Sequence, residues 1–558
     1  MSGEINGKSL PNGIHLGDML AATVVMTHTP EEVTMDGAVH SHEHADVDAE
    51  GLVDKGLRKG SVSLVAAVSI GLAATAPAYS LTGALGWGAA ASGYQLPIIF
   101  LISVIPMFFV ALAYKHMTEV APDSGTVFTW GSMAIGPYTG WIGGWGLFLS
   151  STLAGVGAAE VTVNAVVSVA GLEDPPMVLR AAIGSAFILL TTWLVSRGAE
   201  ESSRTTLLLT IIQYGGLIVF ALVMVVAVLS GNAAPTAEPF SWEWFNPLAI
   251  NGYDAMMGGF LVALFIFWGF DASLAMSEES GGNAKQAGRT GVISMTIILV
   301  TYVVFAVAAL AYAGIDEADP LSLTHPDNID DVFGSMATAA VGTWGAVVAA
   351  LIIAVSAFSA TMSTVMPTAR NLLAMASYKA LPKRFASVDE ATAAPKVATW
   401  AMGLLTLAIY LGLSLTSDSI VADSVYSVGI SICVYYIVAS LSSVVYFHRT
   451  AFASVRTAFG QVILPAIAVI VLTYVLIVEA GNMMDPEYGS GSSVMGVGTV
   501  FIVGVLGMAL AIPLMLAWRI KAPAFFKGRT LPKQRAHWVR DGSGPSPVVS
   551  PPGVGPVE

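Results

Sequence analysis

The stretch LFIFWGFDASLAMSEE, residues 264–279, opens as lipid-seeking sequence, sets Gly269 and Asp271 inside the same apolar run and ends on two glutamates. A carboxylate at membrane depth is costly unless something polar meets it, so such a residue marks a functional position or a structural cap. Gly269 gives the chain a place to leave the helical conformation. A polar residue just past an unwound segment can cap the half-helix that resumes. Asp271 therefore carries three readings: a cap, a contact to a cationic group of a substrate or a coupling ion, and a gate contact with water.

Composition sets the class around this segment. With 55% hydrophobic and 11% charged residues and a mean hydropathy of +0.72, the chain cannot fold around one soluble core. A bilayer core needs roughly 20 apolar residues per helix, and twelve candidate spans are present: 62–86, 96–117, 139–169, 178–195, 205–229, 255–277, 291–314, 345–366, 397–415, 421–447, 462–480 and 494–518. The expected fold class is an all-α integral membrane protein of twelve transmembrane helices. Cys433, the only cysteine, falls in the tenth span, which excludes a disulfide framework and a zinc ribbon. No cleavable signal peptide is evident before the first apolar run, so that span itself is expected to direct insertion.

Basic residues stay on the cytoplasmic side of short loops. Loops after even-numbered spans carry Lys115, Arg197 with Arg204, Lys285 with Arg289, a basic run from Arg370 to Lys396, and Arg449 with Arg456, whereas the opposite side has only Arg180. Both termini are thus expected in the cytoplasm of a multi-pass protein of the cytoplasmic membrane. Residues 1–60 read as a disordered acidic tail containing His40-Ser-His-Glu-His44, a tract that binds metal only weakly without a fixed geometry. Residues 521–558 read as a second, unfolded cytoplasmic tail.

Two spans contain helix breakers at mid-depth. The first holds Gly71 and Pro77; the sixth holds Trp268-Gly-Phe-Asp-Ala-Ser273. Five helices separate the two breaks, and an odd repeat length makes the second copy enter the membrane upside down. The pattern predicts a 5+5 inverted repeat, residues 61–230 and 250–450, with two accessory spans in 460–520 and a binding site where the breaks meet.

Three segments carry a family likeness. Gly269-Phe-Asp-Ala-Ser273 followed by Glu278 and Glu279, the segment Arg370-Asn-Leu-Leu-Ala-Met-Ala-Ser-Tyr-Lys-Ala-Leu-Pro382 with Ala394-Pro-Lys-Val-Ala398, and Leu81-Thr-Gly83 together resemble the amino acid, polyamine and organocation permeases. The resemblance covers spans one to ten and implies a leucine-transporter-like fold and secondary transport. It also implies a first-span Gly-x-Gly triplet whose amides cradle a substrate carboxylate. Thr75-Ala-Pro77 stands there instead, and Pro77 offers no N–H, which leaves the Thr75 hydroxyl and the amides of Ala74 and Ala76. The loop after span six lacks the Asn-Pro pair frequent among such permeases.

An unwound helix in lipid strands backbone groups that a zwitterion can satisfy at both ends. The expected substrate-binding residues are those at the breaks: Gly71, Ala74, Thr75, Ala76, Trp268, Gly269, Phe270, Asp271 and Ser273. Phe267, Trp268 and Phe270 can form an aromatic lid or belong to the core. Glu160, with Asn164 one turn on, is a second acid within a span, a candidate for carrying a proton or touching substrate, or else solvated at the outer end. Neither it nor Asp271 has a basic partner apparent in sequence. Some proton-coupled relatives carry a lysine on span five, where this chain has Gln213. Ser359 and Ser363, with Ser356, share one face of span eight, where the resemblance implies hydroxyls for sodium; such serines also bond to their own backbone.

The function expected is ion-coupled uptake of an amino acid by alternating access, with H+ or Na+ as the coupling ion and with no catalytic residues, metal site or other cofactor. An amine or polyamine cargo on the same fold is the nearer alternative, motivated by Pro77, Asp271 and Glu160. A non-transporting receptor is the further one, and the tails show no output domain for it. His-Glu-x-x-His and Gly-x-Ser-x-Gly signatures are absent from the spans. The expected partners are the substrate and the lipid bilayer, with no nucleic acid.

Overall fold

The computed structural model describes residues 52–172, 175–281, 284–329, 331–417, 420–486, 488, 491–540 and 545–548. Most of the expected N-terminal tail, including the tract 40–44, lies outside the described residues. The described chain is helical apart from two short two-stranded hairpins. Ten helical runs among the described residues are long and apolar enough to cross a membrane.

The first run, Leu64–Val120, contains α1 (Leu64–Ala74), α2 (Pro77–Ser92) and α3 (Leu96–Val120). The short helix α4 (Val127–Ala134) precedes the long α5 (Pro137–Ala170), α6 (Met177–Val195) and α7 (Ala199–Leu229). Next come α8 (Gly252–Ile266), a 3-10 segment (Phe270–Glu279), α9 (Ala284–Ala287), α10 (Thr290–Ala313) and α11 (Val332–Val341). The remainder is α12 (Thr343–Ser377), α13 (Lys396–Thr416), α14 (Ile420–Phe447), α15 (Val455–Ala458), α16 (Leu464–Asn482) and a last run, Thr499–Lys521. Ten runs stand where twelve spans were expected, for two reasons. Expected spans one and two form a single interrupted run, and the expected sixth span is cut into α8 and the 3-10 segment, neither long enough alone.

Both interruptions have local causes. The Ser63 hydroxyl caps α1 by accepting the Ala66 amide at 3.2 Å. Four residues past Ala73, the Pro77 ring would clash with the Ala73 carbonyl and has no N–H to give it, so α1 stops at Ala74. Ala76 takes a left-handed conformation, φ 46° and ψ 59°, at a cost of about 1–2 kcal/mol. Pro77 then starts α2 at the position where proline suits a helix. In the other break Gly269 has φ 110°, which glycine adopts without the steric penalty of a Cβ. The first break is shorter than Gly71 to Pro77: Gly71 stays helical and packs against the other chain segment, a Cβ there lying 3.0 Å from the Phe270 carbonyl.

The bundle is built around α5, which packs against α12 and α14, while α1 packs against α7, α12 and the 3-10 segment, and α2 against α8. Two segments expected as tail are ordered onto it. Leu52 and Lys55 are buried, and Val62 exchanges backbone hydrogen bonds with Glu279 and Gly281 at 3.0 and 3.1 Å. Past Lys521, Phe525 stacks on Phe128, and the Gln534 and Ala536 amides donate to the carbonyls of Met133 and Tyr446. This differs from the unfolded tail expected, because Phe525 and Phe526 find aromatic partners in α4 and α5. Cys433 is fully buried and free.

Candidate functional site

The two breaks touch. A Cβ on Gly269 would sit 2.8 Å from the Ala74 carbonyl carbon and oxygen and 3.0 Å from the Thr75 amide, so only glycine admits this approach. The carbonyl of Thr75, at the break, accepts from Ser80 Oγ at 2.7 Å and Tyr302 Oη at 3.2 Å. The Thr75 hydroxyl donates back to the Leu72 carbonyl at 2.8 Å, so it is engaged where the sequence left it available to a ligand. The first hydrogen bond of α2 runs from the Ser80 amide to the Ala76 carbonyl. The Tyr79 amide, ahead of it, reaches Ser356 Oγ at 3.3 Å. The Tyr79 amide is one of the first-turn donors that a helix start leaves without an intrahelical partner.

Beside the breaks lies a cavity of about 30 Å³. Ala74, Thr75, Ala76 and Trp268 form one wall, Leu153, Ala154, Gly157 and Ala158 of α5 a second, and Ala360, Thr361 and Thr364 of α12 with Ser424 and Val428 of α14 close it. That volume matches about one water's share of liquid. An amino acid therefore needs a wall to move, and Trp268 and Tyr79 are the large side chains lining it.

The remaining expected residues sort as follows. Trp268 Nε1 donates to Tyr435 Oη. Phe267 is held edge-on by Phe100 and tilted against Tyr302, and Phe270 packs on Tyr114 and Tyr436, so both are core aromatics. Asp271 does not cap the resumed segment; the cap position falls at Gly269, with no side-chain hydrogen bond. Its carboxylate accepts instead from Tyr436 at 2.8 Å, Tyr435 at 3.3 Å and Tyr114 at 3.4 Å, and it has no ion-pair partner among the described residues. Ser273 Oγ donates to the Phe270 carbonyl and accepts from Thr290 Oγ1 at 3.0 Å, away from the cavity. Ser359 and Ser363 are buried, with hydroxyls that make no hydrogen bond among the described residues, and neither lines the cavity.

Glu160 has a basic partner after all. Arg180 of α6 pairs with it and reaches Asn164, and Tyr410 of α13 donates to its other oxygen at 2.9 Å. Arg180 was the one basic residue on its side of the bundle, a signal that pointed to this pairing.

A second constellation closes the bundle at the end where the 3-10 segment terminates. Lys55 Nζ lies 2.6 Å from both Asp123 Oδ2 and Glu278 Oε1, with the lysine and aspartate side chains wholly buried. Asp123 also accepts from Thr129 Oγ1, Tyr378 Oη and the Gly125 amide at 2.7–2.8 Å. Next to it Arg370 makes a two-point pair with Glu279 and donates to the Met366 carbonyl. Glu278, Glu279 and Arg370 stood out in sequence. Lys55 and Asp123, like Tyr114, Tyr435 and Tyr436, were missed because their partners are distant along the chain.

A broken pair of apolar helices around a small cavity is the geometry of a carrier, and a family comparison decides the matter. A sequence profile described as Amino acid permease matches residues 61–514. The chain belongs to the amino acid permease family. The branched-chain amino acid permease BcaP of Lactococcus lactis is 25% identical over 357 residues, 62% of this chain and 73% of that protein. An arginine/ornithine antiporter of Latilactobacillus sakei is 24% identical, covering 68% and 76% of the two chains. The L-lysine transport protein of Corynebacterium glutamicum is 26% identical, covering 60% and 65%. The family and these relatives are transporters rather than enzymes, and this permease is a multi-pass membrane protein that moves amino acids.

Proposed function

We propose that this permease takes up an amino acid across the cytoplasmic membrane by alternating access, coupled to an ion, with the substrate held where the helix breaks meet. The observation that carries the reading is the contact of Gly269 with Ala74 and Thr75 beside a cavity. There the positive end of α2 would meet a substrate carboxylate and carbonyls at the breaks would meet its ammonium. Ala74, Thr75, Ala76, Trp268 and Gly269 then form the site. Gly71, Phe270 and Ser273 support it from behind.

Twelve crossings fit this reading. The 57-residue run Leu64–Val120 is nearly three times the roughly 20 residues one crossing requires, room for two crossings with the break and the turn between them, and α8 with the 3-10 segment makes one more. Residues 61–230 and 250–450 are then the two inverted halves, and 460–520 the accessory pair. The basic loops support a cytoplasmic location for both termini and for the Lys55 cluster.

Asp271 is the coupling group favoured for a proton, since it is buried near the cavity with neutral partners only. Sodium is the second reading, favoured by the unsatisfied hydroxyls of Ser359 and Ser363 on α12, a helix packed against α1. Uptake into proteoliposomes of purified protein, with proton and sodium gradients imposed in turn, tests both. Accumulation driven by neither gradient would remove the coupled reading and leave exchange.

A further inference from the structure

The relatives named above differ in cargo, some printed as branched-chain and some as arginine, ornithine or lysine carriers, so similarity alone does not choose between a neutral and a cationic side chain. The cavity wall does. Opposite the breaks it consists of Leu153, Ala154, Gly157 and Ala158 on α5 and Ser424 and Val428 on α14, with no carboxylate among them. The threonine hydroxyls that complete the wall are engaged: Thr361 donates to the Ala357 carbonyl at 2.9 Å and Thr364 to the Thr361 carbonyl at 3.2 Å. Ser424 Oγ is the lining hydroxyl left without a hydrogen-bond partner among the described residues.

The buried acids that could have recognised a cation nearby are committed elsewhere: Asp423, beside Ser424, accepts from Ser417 Oγ at 2.7 Å and does not line the cavity. Asp271 is enclosed by three tyrosine hydroxyls and does not line the cavity. Glu160 is neutralised by Arg180 and held by Tyr410. A lysine or ornithine side chain brought here would lose its hydration and meet hydroxyls of Tyr79, Ser80 and Ser424 but no carboxylate, which does not compensate a buried ammonium.

Size is limited at Gly157. A Cβ built there would lie 3.2 Å from Tyr79 Oη and 3.3 Å from Ser424 Cβ, inside ordinary van der Waals contact, so the gap between α5 and these two residues is narrower than a methyl and adding one narrows the cavity there. Resting on the reading that the breaks and this cavity are the binding site, we infer that the permease selects small neutral amino acids, aliphatic or hydroxyl-bearing, and rejects cationic amino acids and polyamines. Gly157 sets the size limit and Ser424 supplies the single polar contact to the side chain.

The test is uptake of labelled alanine, serine, valine, lysine, ornithine and spermidine, each measured separately in proteoliposomes of the full-length protein and of Gly157→Ala. The expected result is alanine, serine and valine entering with kcat/KM at least tenfold above lysine, ornithine and spermidine. The Gly157→Ala variant should lose valine at least tenfold more than alanine, the discrimination one methyl in an apolar pocket can give. Lysine or ornithine within threefold of alanine, with valine still lost in the variant, overturns the neutral selectivity while leaving the cavity as the site. A variant that folds, as judged by unchanged thermal melting, and transports the whole panel like the parent shows that the cavity is not the site, and the inference falls with the reading beneath it. Should Gly157→Ala melt early, Ser424→Ala replaces it, with a selective loss of serine relative to alanine expected and no change in that ratio overturning the assignment of Ser424.

Discussion

Replacing Lys55 by methionine keeps most of the volume of its side chain and removes the charge that holds Asp123 and Glu278 together. The ammonium is 2.6 Å from each carboxylate, and the side chains of Lys55 and Asp123 have no exposure while Glu278 retains 18%. Removing one member of a buried pair typically costs 3–5 kcal/mol, because the remaining charge stays behind uncompensated. Here the lower end applies. Asp123 keeps Thr129, Tyr378 and the Gly125 amide, and Glu278 keeps the Ser124 amide at 2.6 Å. About 3 kcal/mol corresponds to a shift of roughly a hundredfold in the balance between closed and open at this end of the bundle. Ser277, beside Glu278, is buried with an unpartnered hydroxyl and tolerates cysteine, while the native Cys433 is fully buried. Labelling of Ser277→Cys by a membrane-impermeant maleimide from the cytoplasmic side should accelerate about a hundredfold when Lys55→Met is added. Adding Asp123→Asn should recover part of the difference, since the two lost charges interact. Unchanged labelling together with unchanged melting would refute the argument that this cluster holds the bundle shut. A lowered melting temperature with unchanged labelling would make Lys55 a support of the fold and not a gate.

In the same cluster Lys55 and Asp123 predict no response to pH near neutrality, while Glu278, held above its ordinary value by burial against the pull of Lys55, favours the closed state more as pH falls. Burial opposes the charge on Lys55, but Asp123 and Glu278 hold its ammonium above the ordinary lysine value; burial likewise opposes the charge on Asp123, yet Lys55, Thr129 and the Gly125 amide hold that carboxyl below its ordinary value. The lysine contribution is present below about pH 10.4 and lost as pH rises through its raised value, and the aspartate contribution is present above about pH 3.9 and lost as pH falls through its lowered value. Labelling of Ser277→Cys in the parent, normalised to a free thiol at each pH because the thiolate is the reacting form, should therefore not accelerate as pH falls from about 8.5 to 5.5, and a tenfold acceleration would contradict it. Trp268→Ala should weaken substrate retention more than it lowers the melting temperature; equal losses of about 3–5 kcal/mol in both would mark Trp268 as a core aromatic. Asp271→Asn should abolish accumulation driven by a proton gradient and spare exchange, because an amide accepts from tyrosine but does not titrate. Glu160→Gln, which leaves Arg180 without its counter-charge, should lower stability and leave coupling intact, and normal melting with lost coupling would reverse that assignment. Gly269→Ala should cost transport and stability together, since a Cβ meets backbone at 2.8 Å and φ is 110°; a variant with parental uptake would disprove the close approach of the breaks.

What was legible in the sequence was local. Pro77 cannot continue a helix whatever surrounds it, and Gly269 in an apolar run weakens its own turn, so both breaks could be placed to within a few residues from chain chemistry alone. The first was drawn too long, from Gly71, because a glycine required by a close-packed neighbour and a glycine required by a turn look the same in one dimension. The approach of Phe270 to Gly71 distinguishes them, and it comes from 199 residues further on.

The chemistry of the acids was not legible, for the same reason turned round. A carboxylate's role depends on what meets its oxygens. The groups that meet Asp271 come from α3 and α14, and those that meet Glu160 come from α6 and α13. Two acids that looked equivalent along the chain thus diverge: one is paired with a cation where three helices meet, the other is held by hydroxyls that can accept as readily as donate. Tyr435 gives the second acid its connection to the cavity, since its hydroxyl takes the Trp268 N–H and donates to Asp271. On the proposed reading, a Trp268 that swings aside to admit substrate breaks the first of these bonds and frees Tyr435 to strengthen the second. Occupancy of the cavity and the environment of Asp271 would then be linked through one hydroxyl, which is the physical requirement for coupling at a carboxylate that the substrate itself does not touch.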